Sequence, residues 1–258
     1  MYPTFYFVIY KMLELKLRKE YLMSISIYKD VQVINREEDK KLKVAPIKGF
    51  SYASDVATCI VTVAEFFQAA QSQPVVFAKN EQGDYIALAV MALKDGKNVF
   101  VKDDGTWREN EYIPAFIRRY PFIYIQHDVD KLTLAIDHDN KAVNKRKGEA
   151  IFDADGEPTD FTQKVLNFLN EYQQSTTLTQ TMIKMLDEKG LLEDSTASIT
   201  RNGEEVGLTG FLRVNEEKLS SLPDSDVLDL IKSGAYKWIV AHLMSLTNFK
   251  KLMVLSEK

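Results

Sequence analysis

Cysteine is nearly absent from this chain: Cys59 is the only one in 258 residues, which excludes an intramolecular disulfide and any zinc site built on several thiolates. It lies in "DVATCIVTVAEF", an apolar run in which a small buried thiol is expected rather than a nucleophile. Long apolar runs are missing too. The opening "MYPTFYFVIY" precedes the first basic residue, Lys11, an order opposite to that of a secretory signal, and it falls well short of the ~20 residues of a transmembrane helix. No membrane span is expected, and the lack of a classical signal points to the cytoplasm. A phosphate loop, a dinucleotide fingerprint and a nucleophile elbow are all lacking, so no cofactor is expected. The formal net charge of −4 supplies no overall basic field, which argues against nucleic acid as a partner.

What is present describes a folded protein. Hydrophobic residues make up 45% of the chain and charged residues 27%, a globular balance in a length that supports one sizeable core or two small ones. Residues 23–258 read as a single module. Residues 1–22 read as a non-native extension, because "RKEYLM" can be encoded with a purine-rich ribosome-binding sequence just ahead of Met23.

The order of elements gives the fold class. Thr62 and Glu65 in "TVAEFFQAAQ" have capping-box spacing and open a short helix. "PVVFAK" (74–79), "YIALAVMAL" (85–93) and "NVFVK" (98–102) follow as three strands with hairpin-length links, predicting an antiparallel meander. "FIYIQHDV" and "KLTLAID" read as a further strand pair. Beyond Asp137 come two helices joined at "STT", a hairpin signalled by Asn202-Gly203, and short helices stopped at Pro223 and Gly234. Strands grouped ahead of helices, then a C-terminal hairpin and short helices, predict an α+β fold rather than a doubly wound one.

Two groups of residues carry candidate chemistry. In "YIPAFIRRYPFIY" adjacent arginines stand in an aromatic frame, and Trp107, Tyr112, Arg118, Arg119 and Tyr120 form a candidate grip on a peptide or carboxylate. Neighbouring helical residues point about 100° apart, so one arginine is expected to brace the fold and the other to meet a ligand. The second group is "HDVDKLTLAIDHDN", where His127, Asp128, Asp137 and His138 offer imidazole and carboxylate to a metal if a hairpin brings them together. Asp137, ending an apolar strand, also suits a structural hydrogen-bonding role. "DADGEPTD" lacks the ligands of a calcium loop and reads as a turn before a helix cap. The basic "NKRKGE" has no interleaved aromatic residue for base stacking and reads as a solvated loop.

The motifs "PVVFA", "NVFV", "GTW" and "YIPAFIRRYPF", followed by "AID", "GEAIFDADGEPT", "LTGFLRVNEEKLSSL" and "AHLMSL", resemble the SapC family of bacterial proteins over about residues 30–254. That resemblance implies a role linked to a bacterial surface layer or its export. It supplies no catalytic residues and no cofactor. The expectation is a non-enzymatic accessory protein that binds a protein or peptide partner, a surface-layer protein or export component, with cell-surface association implied. A metal-dependent enzyme acting on peptides or surface components is the alternative.

Overall fold

A computed structural model describes residues 27–80, 82–93, 97–128, 131–201 and 204–256, with the side chains of 127, 128, 131, 198–201 and 204–209 outside the description. The expectations for residues 1–22 and Met23, and the Asn202-Gly203 turn itself, lie outside the described residues. The fold is α+β, and all strand pairing described is antiparallel. A five-stranded sheet has the order β10-β11-β4-β5-β3, from Leu192–Arg201, Glu204–Val214, Val75–Lys79, Tyr85–Val90 and Thr58–Ile60. A second sheet joins β1 (Val31–Val33), β7 (Lys131–Asp137) and β6 (Phe122–Asp128). A third places β2 (Lys43–Val44) between β8 (Val143–Asn144) and β9 (Glu149–Ala150).

The meander expected from three consecutive strands is only two-thirds present. β4 and β5 pair from Val75↔Ala89 to Lys79↔Tyr85, but "NVFVK" forms turns. Asn98 is buried there, with its amide nitrogen donating to the Ala53 carbonyl at 3.1 Å and its side-chain oxygen accepting from Phe100 N–H at 2.9 Å. A side chain that satisfies its own backbone two residues on closes a turn and competes with strand pairing. The edge beside β5 goes to β3 instead, which carries Cys59 opposite Ala89. Cys59 is 1% exposed and burial pushes its thiol well up, so it is an inert core thiol.

The two helices expected on either side of "STT" are one. After the short α1 (Phe66–Ala69) and α2 (Ala115–Arg118), α3 runs unbroken over Asp160–Glu188, 29 residues. The two threonines of "STT" bond back along the helix, as do the next two: the Thr176, Thr177, Thr179 and Thr181 hydroxyls each donate to the carbonyl four residues earlier. Their hydroxyls are satisfied within the helix, so it continues. Helix α3 serves two cores, with Met182, Ile183 and Leu186 in the main one and Leu169 in a smaller one with Leu42, Val44, Phe122, Ile136 and Ile151.

Four C-terminal helices follow: α4 (Glu216–Ser220), α5 (Asp224–Ser233), α6 (Ala235–Ser245) and α7 (Asn248–Leu255). Helix α6 closes a weak seam. Strands β11 and β4 are in register only at Leu212↔Phe77, and two side chains of "AHLMSL" supply bonds that the ladder lacks. Val214 N–H donates to His242 Nε2 at 3.1 Å, so that nitrogen is an acceptor. The imidazole proton is therefore on Nδ1, donating to the Val75 carbonyl at 2.7 Å. Ser245 Oγ accepts from Val75 N–H at 2.9 Å. The His242 ring, fully buried, stacks on Phe77 at 4.4 Å.

Burial holds the His242 pKa down to about 4, against an ordinary 6.5. An unfolded chain takes up this proton near pH 6.5 and the folded one only near pH 4, so stability present above pH 6.5 is lost as pH falls through that window, by about 3 kcal/mol in all. Urea unfolding at pH 7 and pH 5 checks this. The native protein should lose about 2 kcal/mol between the two, whereas His242→Leu should be less stable at pH 7 by about 2–3 kcal/mol and lack this acid sensitivity.

Candidate functional site

The segment "YIPAFIRRYPF" is held at both ends by buried carboxylates. At its start stands Glu65, 4% exposed. Its Oε1 accepts from Thr62 N–H at 3.0 Å, the local half of the predicted capping box, while Oε2 accepts from the Tyr112 hydroxyl at 2.8 Å and Ala115 N–H at 2.7 Å. At its end stands Asp137, with no exposure. Oδ1 accepts from Asp30 N–H at 2.9 Å and Asp139 N–H at 3.1 Å, and Oδ2 from the Tyr120 hydroxyl at 2.9 Å and Lys29 N–H at 3.2 Å. Burial raises the phenol pKa of both Tyr112 and Tyr120, which keeps them protonated and able to donate. Between these anchors Tyr52 donates to the Ile117 carbonyl at 3.1 Å and Tyr28 to the Phe122 carbonyl at 2.8 Å.

The two arginines divide as their spacing requires. Arg119 is half-buried, its guanidinium 4.4 Å from the Phe116 ring centre, 5.1 Å from Tyr172 and 5.8 Å from Tyr28. These aromatic contacts place it on the inner side of the turn, where it braces the fold. Arg118 is exposed. Its Nε donates to the Ile113 carbonyl at 3.0 Å, its Nη2 donates to the Tyr112 hydroxyl at 3.3 Å, and its guanidinium stands 5.4 Å from the Phe168 ring centre. A hydrogen-bond relay therefore ties Arg118 through Tyr112 to Glu65.

Both arginines open onto a cleft of about 470 Å³. One wall is the end of β2 and the chain after it, with Val44, Ala45, Pro46 and Ile47; another is the first turns of α3, with Phe161, Val165 and Phe168; the floor is Arg119 to Phe122. Phe161, Val165 and Phe168 recur at helical spacing and are all half-buried, so this apolar stripe of α3 is incompletely covered. Lys164, exposed on the same turns, and Glu149 on β9 complete the charged lining. Among the described residues neither Arg118 nor Lys164 has an ion-pair partner.

Of the five residues expected to form a grip, only Arg118, Arg119 and Tyr120 line this cleft. Trp107 is 7% exposed, stacked on Phe100 at 5.9 Å and set edge-on to Phe50 at 5.5 Å, and does not line it. Tyr112 also lies outside the lining and acts through Arg118. Tyr120 is 8% exposed and stacks on Tyr52 at 4.3 Å. Sequence reasoning missed the α3 stripe and the Ala45–Pro46–Ile47 wall. The amphipathic face of α3 was readable, but nothing local indicated that its first turns are only partly covered.

The four metal candidates do not converge. Strands β6 and β7 do form the hairpin, but Asp128 pairs with Lys131 at the turn, whereas Ile136, next to Asp137, pairs with Phe122 at the other end. About six residues of strand, roughly 20 Å at 3.4 Å each, separate the two halves. His127 and Asp128 side chains lie outside the description, and the Asp137 oxygens already accept four hydrogen bonds. His138 N–H donates to the Asp30 carbonyl at 2.8 Å in the turn after β7. Among the described residues no group of three His, Cys, Asp or Glu is placed to hold a metal ion, and no helix is long and apolar enough to cross a membrane.

The division between the arginines is measurable. Arg119→Ala should cost about 2 kcal/mol or more by emptying the aromatic cage, and Arg118→Ala under about 1 kcal/mol. Equal losses in chemical unfolding would contradict the assignment.

The SapC family model covers residues 34–252, and neither a curated protein nor a solved structure matches the chain.

Proposed function

The chain belongs to the SapC family, and from that premise we propose that it is a non-enzymatic accessory protein that binds a segment of a protein partner in the cleft beside Arg118. The observation that carries this reading is the cleft itself. A partly covered apolar stripe of α3 faces a basic rim whose arginine is tied through Tyr112 to Glu65. Concave apolar surface with a few placed polar groups is the usual form of a recognition site. A tethered guanidinium fork adds direction at little entropic cost.

The partner we propose is a surface-layer protein or a component of its export. The family resemblance supports this, and the geometry supports the binding mode. The Asp137 and Glu65 carboxylates serve this reading as positioning groups that set the backbone of the recognition segment.

Affinity capture from the natural host tests the reading, using as baits the native protein, Phe168→Ser and Arg118→Ala, with thermal unfolding to confirm that both variants fold. A protein retained by the native bait and lost from both variants is the expected result. A catch unchanged by either variant would remove the cleft from the binding surface.

A further inference from the structure

The cleft's charge has the opposite sign to that of the chain. Arg118, Arg119 and Lys164 line it against the single carboxylate of Glu149, while the whole protein has a formal net charge of −4. Arg118 is pinned by the Ile113 carbonyl and the Tyr112 hydroxyl, which leaves the other N–H groups of its fork without an acceptor among the described residues. Lys164 has no acceptor there either.

A second basic element joins the two strands that flank β2 in its sheet. Strands β8 and β9 pair on opposite sides of β2, at Val44↔Val143 and Val44↔Glu149. Both run antiparallel to β2, so the loop leaves Asn144 beside Lys43 and passes over β2 to reach Glu149 beside Val44, at the end where Ala45 begins to line the cleft. Gly148 permits this crossing. It has φ +105°, and a Cβ there would stand 2.2 Å from the Val44 carbonyl oxygen, so no other residue fits. Asn144 Oδ1 accepts from the N–H groups of Arg146 and Lys147, both at 2.8 Å, which curls the loop tightly. The side chains of Lys145, Arg146 and Lys147 are left exposed. The "NKRKGE" stretch, a solvated loop as its composition suggests, thus ends against the Val44–Ala45 peptide beside the cleft, although its three basic side chains are not part of the cleft lining.

We infer that the cleft takes an acidic peptide segment, with apolar side chains seated on Phe161, Val165 and Phe168 and flanking carboxylates against Arg118, Lys164 and the 145–147 loop. This deepens the peptide-binding reading and rests on it. The apolar floor favours a peptide over a polyanion. Of the three phenylalanines that line the cleft, Phe122 is buried, Phe161 and Phe168 are half-buried in a helix face, and Phe168 already lies beneath the Arg118 guanidinium, so no fully open ring is offered for base stacking. Charged rims mainly set selectivity and association rate, so the signature is discrimination by charge that fades with salt.

Fluorescence anisotropy with labelled peptides sharing one leucine-phenylalanine core, flanked by Asp and Glu, by Asn and Gln, or by Lys, tests the inference on the full chain. The acidic peptide should bind about tenfold more tightly than the neutral one, and the basic one more weakly still, with the difference shrinking as salt rises. Lys164→Glu and Lys147→Glu should each reduce acidic-peptide affinity about fivefold. Neither should alter binding of the neutral peptide or the melting temperature by comparable amounts. Equal binding of acidic and neutral peptides, both lost in Phe168→Ser, would overturn the charge inference and leave the peptide-binding reading standing. No binding of any peptide, together with a captured catch insensitive to cleft variants, would overturn both. Preference for phosphatidylglycerol vesicles or single-stranded DNA over the acidic peptide would also overturn the inference.

Discussion

A carboxylate taken out of water must be given hydrogen-bond donors, and Asp137 and Glu65 are buried carboxylates that draw theirs partly from distant parts of the chain. Asp137 gathers Lys29, Asp30 and Asp139 backbone N–H groups with the Tyr120 hydroxyl; Glu65 gathers Thr62 and Ala115 N–H groups with the Tyr112 hydroxyl. The segment running from Tyr112 to Phe122 has no long regular element of its own, only α2 with four residues. Its conformation is set from outside, at both ends. Removing either carboxylate would leave several buried donors unmet at once, which makes the two anchors more consequential than any single apolar contact nearby.

From those anchors the arrangement of the cleft follows. Fixing Ala115 and Tyr120 fixes the direction of the helical turn between them, and adjacent residues on that turn must diverge. One arginine goes inward among Phe116, Tyr172 and Tyr28, and the next outward over Phe168. Helix α3 then supplies the facing wall, and the smaller core beneath, with Phe122 and Leu169, ties wall to floor. The surface that the protein presents is therefore a consequence of buried polar chemistry rather than of a loop folded for the purpose.

Legibility in the sequence tracked how local each interaction is. The Thr62–Glu65 box, the β4–β5 hairpin and the β6–β7 pairing depend on neighbours a few residues apart, and all are present. The second role of Glu65 depends on Tyr112 and Ala115, some fifty residues on, and no local pattern announces it. "NVFVK" alternates like a strand, yet a buried Asn98 turns it. "STT" resembles a break, yet back-bonded hydroxyls carry the helix through. The arginine pair was recognisable as a divided unit because that follows from helical geometry. Trp107 was drawn into the candidate grip by composition, and its ring is spent on Phe100 and Phe50. Asp137 was legible as structural because an acid that ends an apolar strand has to be paid for in hydrogen bonds.

The central claim is that the cleft bounded by the chain after β2, the Arg118–Phe122 segment and the first turns of α3 is the working surface. Amide hydrogen exchange of the protein alone and saturated with its captured partner tests it most directly. The account predicts new protection concentrated at residues 45–47, 118–122 and 161–168. Protection confined to the C-terminal helices at 224–255, with those three segments unchanged, would contradict it.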